Sequence, residues 1–133
     1  MAVHRRTPKN MTIQLLTLAI EASWTRNTSA SDKWSTENPA LGQCAVTSLV
    51  VQDHFGGRLV RVEATGPEVK DSHYYNELPN GEIIDLTRKQ FPQGTKFSEP
   101  QYRERDYVLS YPLTVIRYNK LKARVDLKLA RRS

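Results

Sequence analysis

The tripeptide Pro79-Asn80-Gly81 separates two short segments with strand-like composition, Ser72 to Leu78 and Glu82 to Leu86. An Asn-Gly pair in this position is typical of a tight hairpin turn, because both residues tolerate positive φ. A further segment, Arg58 to Ala64, contains β-branched residues and follows the pair Gly56-Gly57, so we predict another strand there. The middle of the chain therefore predicts a small antiparallel sheet of three or more strands.

Helical patterns precede this sheet. Apolar residues recur at helical spacing between Ile13 and Trp24, with Asn10 as the candidate N-cap. A second helix is expected to begin at Gln43 or Cys44 and to end at Gly56-Gly57, because glycine is common just past helix ends. The residues between these two helices are rich in Ser, Thr, Asn and Pro, which predicts a long loop.

A third helix is expected after the sheet. Ser110 is its candidate cap, and Pro112 fits its first turn, where the missing N–H has no cost. Its predicted apolar stripe consists of Leu113, Ile116, Leu121 and Val125. Helices on both sides of an antiparallel sheet predict an α+β fold, with the helices packed on the sheet.

The chain has 133 residues, which is the length of one domain. We predict a flexible arm over residues 1–10 and a single α+β domain over residues 11–133. No apolar stretch approaches the roughly 20 residues that span a bilayer, and no signal-peptide pattern follows the basic start. We therefore expect a soluble, cytoplasmic protein without a membrane partner.

Positive charge is concentrated near the C-terminus. Residues 101–133 carry nine Lys or Arg against three Asp or Glu, whereas residues 44–100 carry six against eight. A solvated helix face is one interpretation of this pattern. The other is a basic surface that contacts an acidic partner or nucleic acid, for which the candidates are Arg117, Lys120, Arg124 and Lys128.

Cys44 is the single cysteine of the chain, so an internal disulfide and a multi-thiolate zinc or iron–sulfur site are both excluded. We accordingly expect no metal and no cofactor. A lone cysteine is either a small buried residue, a partner in an intermolecular bond or a reactive thiol. At the predicted helix start, free N–H groups and the helix dipole favour the thiolate, which is the nucleophilic form.

A histidine and a carboxylate complete a possible catalytic set with Cys44. His73 and Asp85 lie on the two predicted hairpin strands at similar distances from Asn80, so a cross-strand diagonal brings them together. His73 would act as base and acid, and Asp85 would hold its tautomer. His54 is excluded because ten helical residues separate it from Cys44 by about 15 Å. Purely structural roles for all three residues remain the alternative.

Three segments carry a resemblance to a known family: Trp34 to Gly57, His73-Tyr-Tyr-Asn-Glu-Leu-Pro-Asn-Gly with the residues up to Thr87, and Val108-Leu-Ser-Tyr-Pro. They resemble a bacterial YunG-like family, over about Trp34 to Val125, and this resemblance implies no particular activity. More distantly, the order of Cys44, His73 and Asp85 is similar to that of papain-like and transglutaminase-like cysteine enzymes. That likeness implies a core of the same type, with Cys on a helix N-terminus and His and Asp on adjacent strands.

Acyl transfer also needs donors for an oxyanion. The backbone N–H of Cys44 is the first candidate, and Gln43 is a side-chain candidate beside it. Asn38 lies six residues before Cys44, the offset at which papain-like proteases place a glutamine. Trp34 is expected either to cover the site or to fill the core. Tyr74 and Tyr75 occupy opposite faces of their strand, so one of them, with Tyr75 as the candidate, should border the cleft.

Two functions follow as hypotheses. In the first, the protein is a thiol-dependent hydrolase or acyltransferase that acts on an amide or (thio)ester bond of a protein, peptide or small molecule. In the second, it is a non-catalytic binding module of the same fold, which uses its basic C-terminal helix. The sequence does not distinguish a peptidase from an amidase, a deamidase or a transferase.

Overall fold

The computed structural model describes residues 11–131. The predicted arm over residues 1–10 and the candidate cap Asn10 lie outside the described residues. The elements, in chain order, are α1 (Ile13–Glu21), α2 (Cys44–Phe55), β1 (Arg58–Gly66), β2 (Val69–Glu77), β3 (Ile83–Ile84), β4 (Lys96–Phe97), β5 (Gln101–Arg103), α3 (Arg105–Val108) and α4 (Pro112–Arg131). The α+β class is confirmed, with helices and one small antiparallel sheet.

The sheet is built around the long pair of β1 and β2. The two strands pair along their full lengths, and Val62 of β1 lies opposite His73 of β2. β3 pairs with the outer side of β2, whereas β4 and β5 pair with different parts of β1. All of these pairs are antiparallel. The predicted hairpin turn is present, and Gly81 in this turn has a φ of 90°.

The helix α2 begins and ends where the sequence predicts. It starts at Cys44, and Gly56 follows its last residue with a φ of 72°. α1 differs in its details, because Thr12 is the N-cap and accepts a hydrogen bond from the N–H of Leu15 at 3.1 Å. α1 also ends earlier than predicted, at Glu21. Trp24 therefore lies beyond the helix, and its side chain is buried.

The helices α1, α2 and α4 enclose the main hydrophobic core. Leu16, Leu49 and Leu121, one from each helix, have no exposed surface. Burial of a side chain of this size stabilises the fold by about 1.5–3 kcal/mol. Leu59 of β1 joins the same cluster, which places the sheet against the helices.

The predicted stripe of α4 is partly wrong. Leu113 and Ile116 are 59% and 50% exposed, because the first turns of α4 lie beyond the core. The buried residues of α4 begin further along the helix and are Tyr118, Leu121, Val125 and Leu129. Ser110 does not cap α4 either, since its hydroxyl donates to the carbonyl of Tyr107 at 2.6 Å.

A second buried surface lies along β1. Val60, Val62 and Ala64 are buried and alternate with more exposed residues, which is the pattern of one strand face. Residues directly opposite each other in an antiparallel pair share a face, so His73 lies on this face beside Val62. Among the helices within residues 11–131, none combines the length and hydropathy that a membrane crossing requires.

Candidate active site

Cys44 is the first residue of α2, and its side chain is partly exposed. It borders a cleft of about 400 Å³ together with Ala45, Gly42 and Ser72. The sulfur lies 4.0 Å from the carbonyl oxygen of Ser72, so the thiol is held beside β2. The first N–H groups of a helix have no partner within the helix, and Gln43 makes no side-chain capping bond to them.

Gly42 explains how the chain approaches this helix end. It has a φ of 74°, and a Cβ at this position would lie 2.3 Å from the Ser29 hydroxyl and 2.6 Å from the Ser31 nitrogen. Its carbonyl accepts a hydrogen bond from the N–H of Ala30 at 2.9 Å. Only glycine therefore allows the segment around Ser31 to pack against residue 42 and form a wall of the cleft.

His73 is fully buried and is fixed by its contacts. Its Nε2 lies 2.9 Å from each carboxylate oxygen of Asp85. The ring of Phe91 meets the imidazole edge-on, with centroids 4.9 Å apart, and the Phe97 ring lies at 5.9 Å. These aromatic side chains exclude water from the imidazole, and the carboxylate sets its orientation.

Asp85 follows β3 directly. Ile84 pairs with Asn76, so continuing the register by one residue brings Asp85 opposite Tyr75 and diagonal to His73. The carboxylate is also 3.4 Å from Nη1 of Arg88, whose guanidinium stacks 3.8 Å from the centroid of the Phe97 ring. The hairpin thus brings together the two residues that the sequence pairs, with Arg88 as a further cation.

The electrostatics of His73 involve both Asp85 and Cys44. Burial lowers the pKa of His73, but the hydrogen bond to Asp85, the hydrogen-bonding neighbour Cys44 and the charges of both outweigh this and raise the pKa to about 9. Nδ1 is buried and has no hydrogen bond of ordinary geometry within residues 11–131. Since Nε2–H is directed to the carboxylate, Nδ1 is the nitrogen left for exchange of a proton with the thiol.

A comparison with protein families matches residues 12–130 to the family described as YunG protein. The chain belongs to the YunG family. It is 37% identical over 90 residues to the protein named "Uncharacterized protein YunG" of Bacillus subtilis (strain 168), which is 67% of this chain and 72% of that relative. No solved structure matches the chain. The resemblance to this family is confirmed.

The structure places both predicted side-chain oxyanion donors of this YunG-family chain elsewhere. Gln43 is fully buried, where its Nε2 donates to the Thr25 carbonyl and its Oε1 accepts from the Thr28 hydroxyl. Asn38 donates through Nδ2 to the backbone carbonyl of Gln90 at 3.1 Å. Neither side chain lines the cleft, because each is already used to connect loops.

The two aromatic candidates also lie away from the thiol. Trp34 is neither in the core nor on the cleft wall, since its Nε1 donates to the nearby carbonyl of Pro39 at 2.9 Å. Tyr74 packs against the main core, as one of the two tyrosines was expected to do. Tyr75 is 6.1 Å from the His73 ring and borders a separate hollow of about 190 Å³ near Tyr102, not the cleft at Cys44.

The basic residues of α4 include some that act within the fold. Arg124 donates to the carbonyl of Ser23 at 2.9 Å, which ties α4 to the chain after α1. Lys122 pairs with Asp126 at 3.1 Å on the helix surface. An interface that includes Arg117, Lys120 and Lys128 stays a prediction. Within residues 11–131, no three His, Cys, Asp or Glu side chains are grouped so that they could hold a metal ion.

Gln90 is a cleft residue that the sequence does not reveal. It ends a short 3₁₀ turn, Arg88–Gln90, and its side chain reaches across to the N–H of Gly42, 3.1 Å from Oε1. Gln90 lines the same cleft as Cys44. This contact joins segments 48 residues apart, so no local pattern indicates it.

Proposed function

We propose that this protein is a thiol-dependent hydrolase or acyltransferase that acts on an amide or (thio)ester bond, with a papain-like or transglutaminase-like core. One observation carries the proposal. A fully buried imidazole, oriented through Nε2 by Asp85, has the thiol of Cys44 as the neighbour of Nδ1, which makes no hydrogen bond of ordinary geometry within residues 11–131. A structural histidine normally satisfies both of its ring nitrogens, so the free Nδ1 supports a role in proton transfer.

In the first chemical step, the Cys44 thiolate attacks the carbonyl carbon and forms a C–S bond. The π electrons of the carbonyl move to its oxygen, which becomes an oxyanion near the N-terminus of α2. When this intermediate collapses, the bond to the amine, alcohol or thiol leaving group breaks, and that group takes the Nδ1 proton of His73. The product is an acyl-thioester of Cys44.

In the second step, water or another nucleophile gives its proton to Nδ1 of His73 and attacks the thioester. The C–S bond breaks and restores the Cys44 thiolate beside the protonated imidazole. Water gives hydrolysis, whereas an amine or alcohol gives acyl transfer. Asp85 is a positioning residue in both steps, because it contacts His73 and not the reacting carbonyl.

The shape of the surface supports access to the thiol. The cleft at Cys44 adjoins a second hollow of about 480 Å³, and both are bordered by Leu41 and Gln90. The second hollow continues towards Phe91, whose ring packs on His73. A substrate lying in both would pass over the sulfur, which suits an extended chain as well as a small amide or ester.

Alkylation of Cys44 by iodoacetamide tests the proposal. The chain has one cysteine, so incorporation of one carbamidomethyl group reports on this thiol alone. A free cysteine is only a few per cent thiolate near pH 7, so a preformed thiolate should react on the order of tenfold faster.

The variants separate activation from simple exposure. Asp85→Asn and His73→Gln should slow alkylation towards the rate of a model thiol, while Glu82→Gln, an exposed change in the hairpin turn, should leave it unchanged. Circular dichroism of each variant shows whether the fold is retained. A folded wild-type protein that alkylates at the rate of free cysteine would contradict the proposed function.

A further inference from the structure

Two buried side-chain nitrogen atoms lack a hydrogen-bond partner within residues 11–131, and both belong to residues around Cys44. One is Nδ1 of His73, which the proposed mechanism uses, and the other is Nε2 of Gln90. An unpartnered buried amide costs stability, and native proteins keep few of them. The Gln90 side chain therefore needs an explanation of its own.

The orientation of the Gln90 amide is fixed by its other end. The N–H of Gly42 requires an acceptor and lies 3.1 Å from Oε1, so the oxygen faces residue 42 and the nitrogen takes the other position. The backbone is held as well, because the carbonyl of Gln90 accepts from Asn38 and its N–H donates to Thr87. The side chain is 8% exposed, so it has little freedom to turn away.

Gln90 lines the same cleft as Cys44 and Ala45, the first residues of α2. A rigid amide donor beside a helix N-terminus is suited to a negative charge that develops on an oxygen. The contact of Oε1 with Gly42 fixes the direction of the donor, but Nε2 is buried in the free protein, so a substrate oxygen reaches it only when the atoms that cover it move aside. The acidic residues on the cleft rim, Asp32 and Asp71, cannot serve this purpose, since their carboxylates only accept.

We propose that Nε2 of Gln90, together with the backbone N–H of Cys44, forms the oxyanion hole for the carbonyl of an amide or (thio)ester substrate. This inference rests on the proposed function, and it replaces Gln43 and Asn38 as the side-chain donor. It assigns Gln90 as a catalytic residue, with its amide oxygen holding Gly42 in place and its amide nitrogen contacting the reacting oxygen.

Two electrophiles with different chemistry test this role. Iodoacetamide reacts with a thiolate by displacement of iodide and forms no oxyanion, whereas p-nitrophenyl acetate acylates it through a tetrahedral oxyanion. We expect Gln90→Ala and Gln90→Glu to lower the ratio of the acylation rate to the alkylation rate by about 10²-fold or more. Gln90→Glu keeps an oxygen acceptor for the N–H of Gly42. Its new negative charge changes the reactivity of the thiolate towards both electrophiles, so the ratio of the two rates cancels that effect.

Two variants serve as controls. Cys44→Ala measures acylation of other groups, which is subtracted from the rate of each protein. Gln93→Ala is an exposed change in the same loop and should keep the wild-type ratio. If wild-type protein is activated towards iodoacetamide but both Gln90 variants retain its ratio, the oxyanion role is wrong and the proposed function stands. If wild-type protein is activated towards neither electrophile, the proposed function itself fails.

Discussion

Replacement of Asp85 by asparagine perturbs the electrostatic centre of the candidate site, because this carboxylate holds the buried imidazole of His73. Burial lowers the pKa of His73, yet the hydrogen bond to Asp85, with the contribution of Cys44, raises it from 6.5 to about 9. A change of this size corresponds to about 3 kcal/mol in favour of the charged ring. His73 has no exposed surface and Asp85 is largely buried, so solvent screens the interaction only weakly.

The sign of the effect on stability follows from the direction of the shift. The folded protein binds this proton more tightly than the unfolded chain, so the stabilisation is complete below about pH 6.5 and is lost as the pH rises through about 9. The part of the free energy of unfolding that comes from the His73 proton should therefore fall by about 3 kcal/mol across this window. In Asp85→Asn the fall should be smaller by at least about 1 kcal/mol, because the charge-assisted hydrogen bond to His73 is lost.

Urea unfolding measures the free energy of unfolding of wild-type protein and of Asp85→Asn. Tryptophan fluorescence follows the transition, since Trp24 is buried in the fold. Titration of the His73 ring by NMR gives the pKa directly and separates it from other groups. Glu82→Gln removes an exposed carboxylate of the same hairpin and should keep the wild-type pH dependence. Equal losses of stability in wild-type protein and Asp85→Asn between about pH 6 and pH 9.5 would refute the assigned role of Asp85.

Three further substitutions test the surrounding structure in denaturant unfolding. Tyr118→Phe should cost about 1–2 kcal/mol, because the buried hydroxyl donates to Asp53 and accepts from Arg105, whereas Tyr111→Phe at an exposed position should change little. Gly57→Ala should destabilise the fold more than Gly81→Ala. Both have positive φ, but a Cβ at residue 57 would lie 2.2 Å from a backbone oxygen and one at residue 81 would meet nothing. Asn76→Ala should cost about 1–3 kcal/mol and slow alkylation of Cys44, because its amide bridges β2 to α2.

The parts of the site that could be predicted from the sequence are those that short segments determine. The predicted end of α2 at Gly56 is confirmed, and the helix starts at Cys44, one of the two predicted first residues. The Asn80-Gly81 turn sets the hairpin register, and this register pairs His73 with Asp85. In both cases, neighbouring residues alone restrict the backbone enough to place the side chains.

Other parts depend on contacts between distant segments, which no local sequence pattern indicates. β4 and β5 contain two and three residues, and pairing with β1 defines them more than their own composition does. The position of Gln43 beside Cys44 predicts a place in the site, but successive residues at a helix start face different directions. Its side chain instead bonds to Thr25 and Thr28, on the buried side of the helix end.

The same distinction explains why Gln90 is a better oxyanion donor than the residues nearest the thiol. A residue next to the nucleophile in sequence lies at the same helix end. Its side chain can bond to the adjoining loop instead of the substrate, as the side chain of Gln43 does. A donor from a separate segment can approach the sulfur from across the cleft, provided that another contact fixes it. Gln90 meets this condition through Gly42, the residue whose conformation also shapes the wall of the cleft. Gly42 therefore both orients the donor and shapes the cleft.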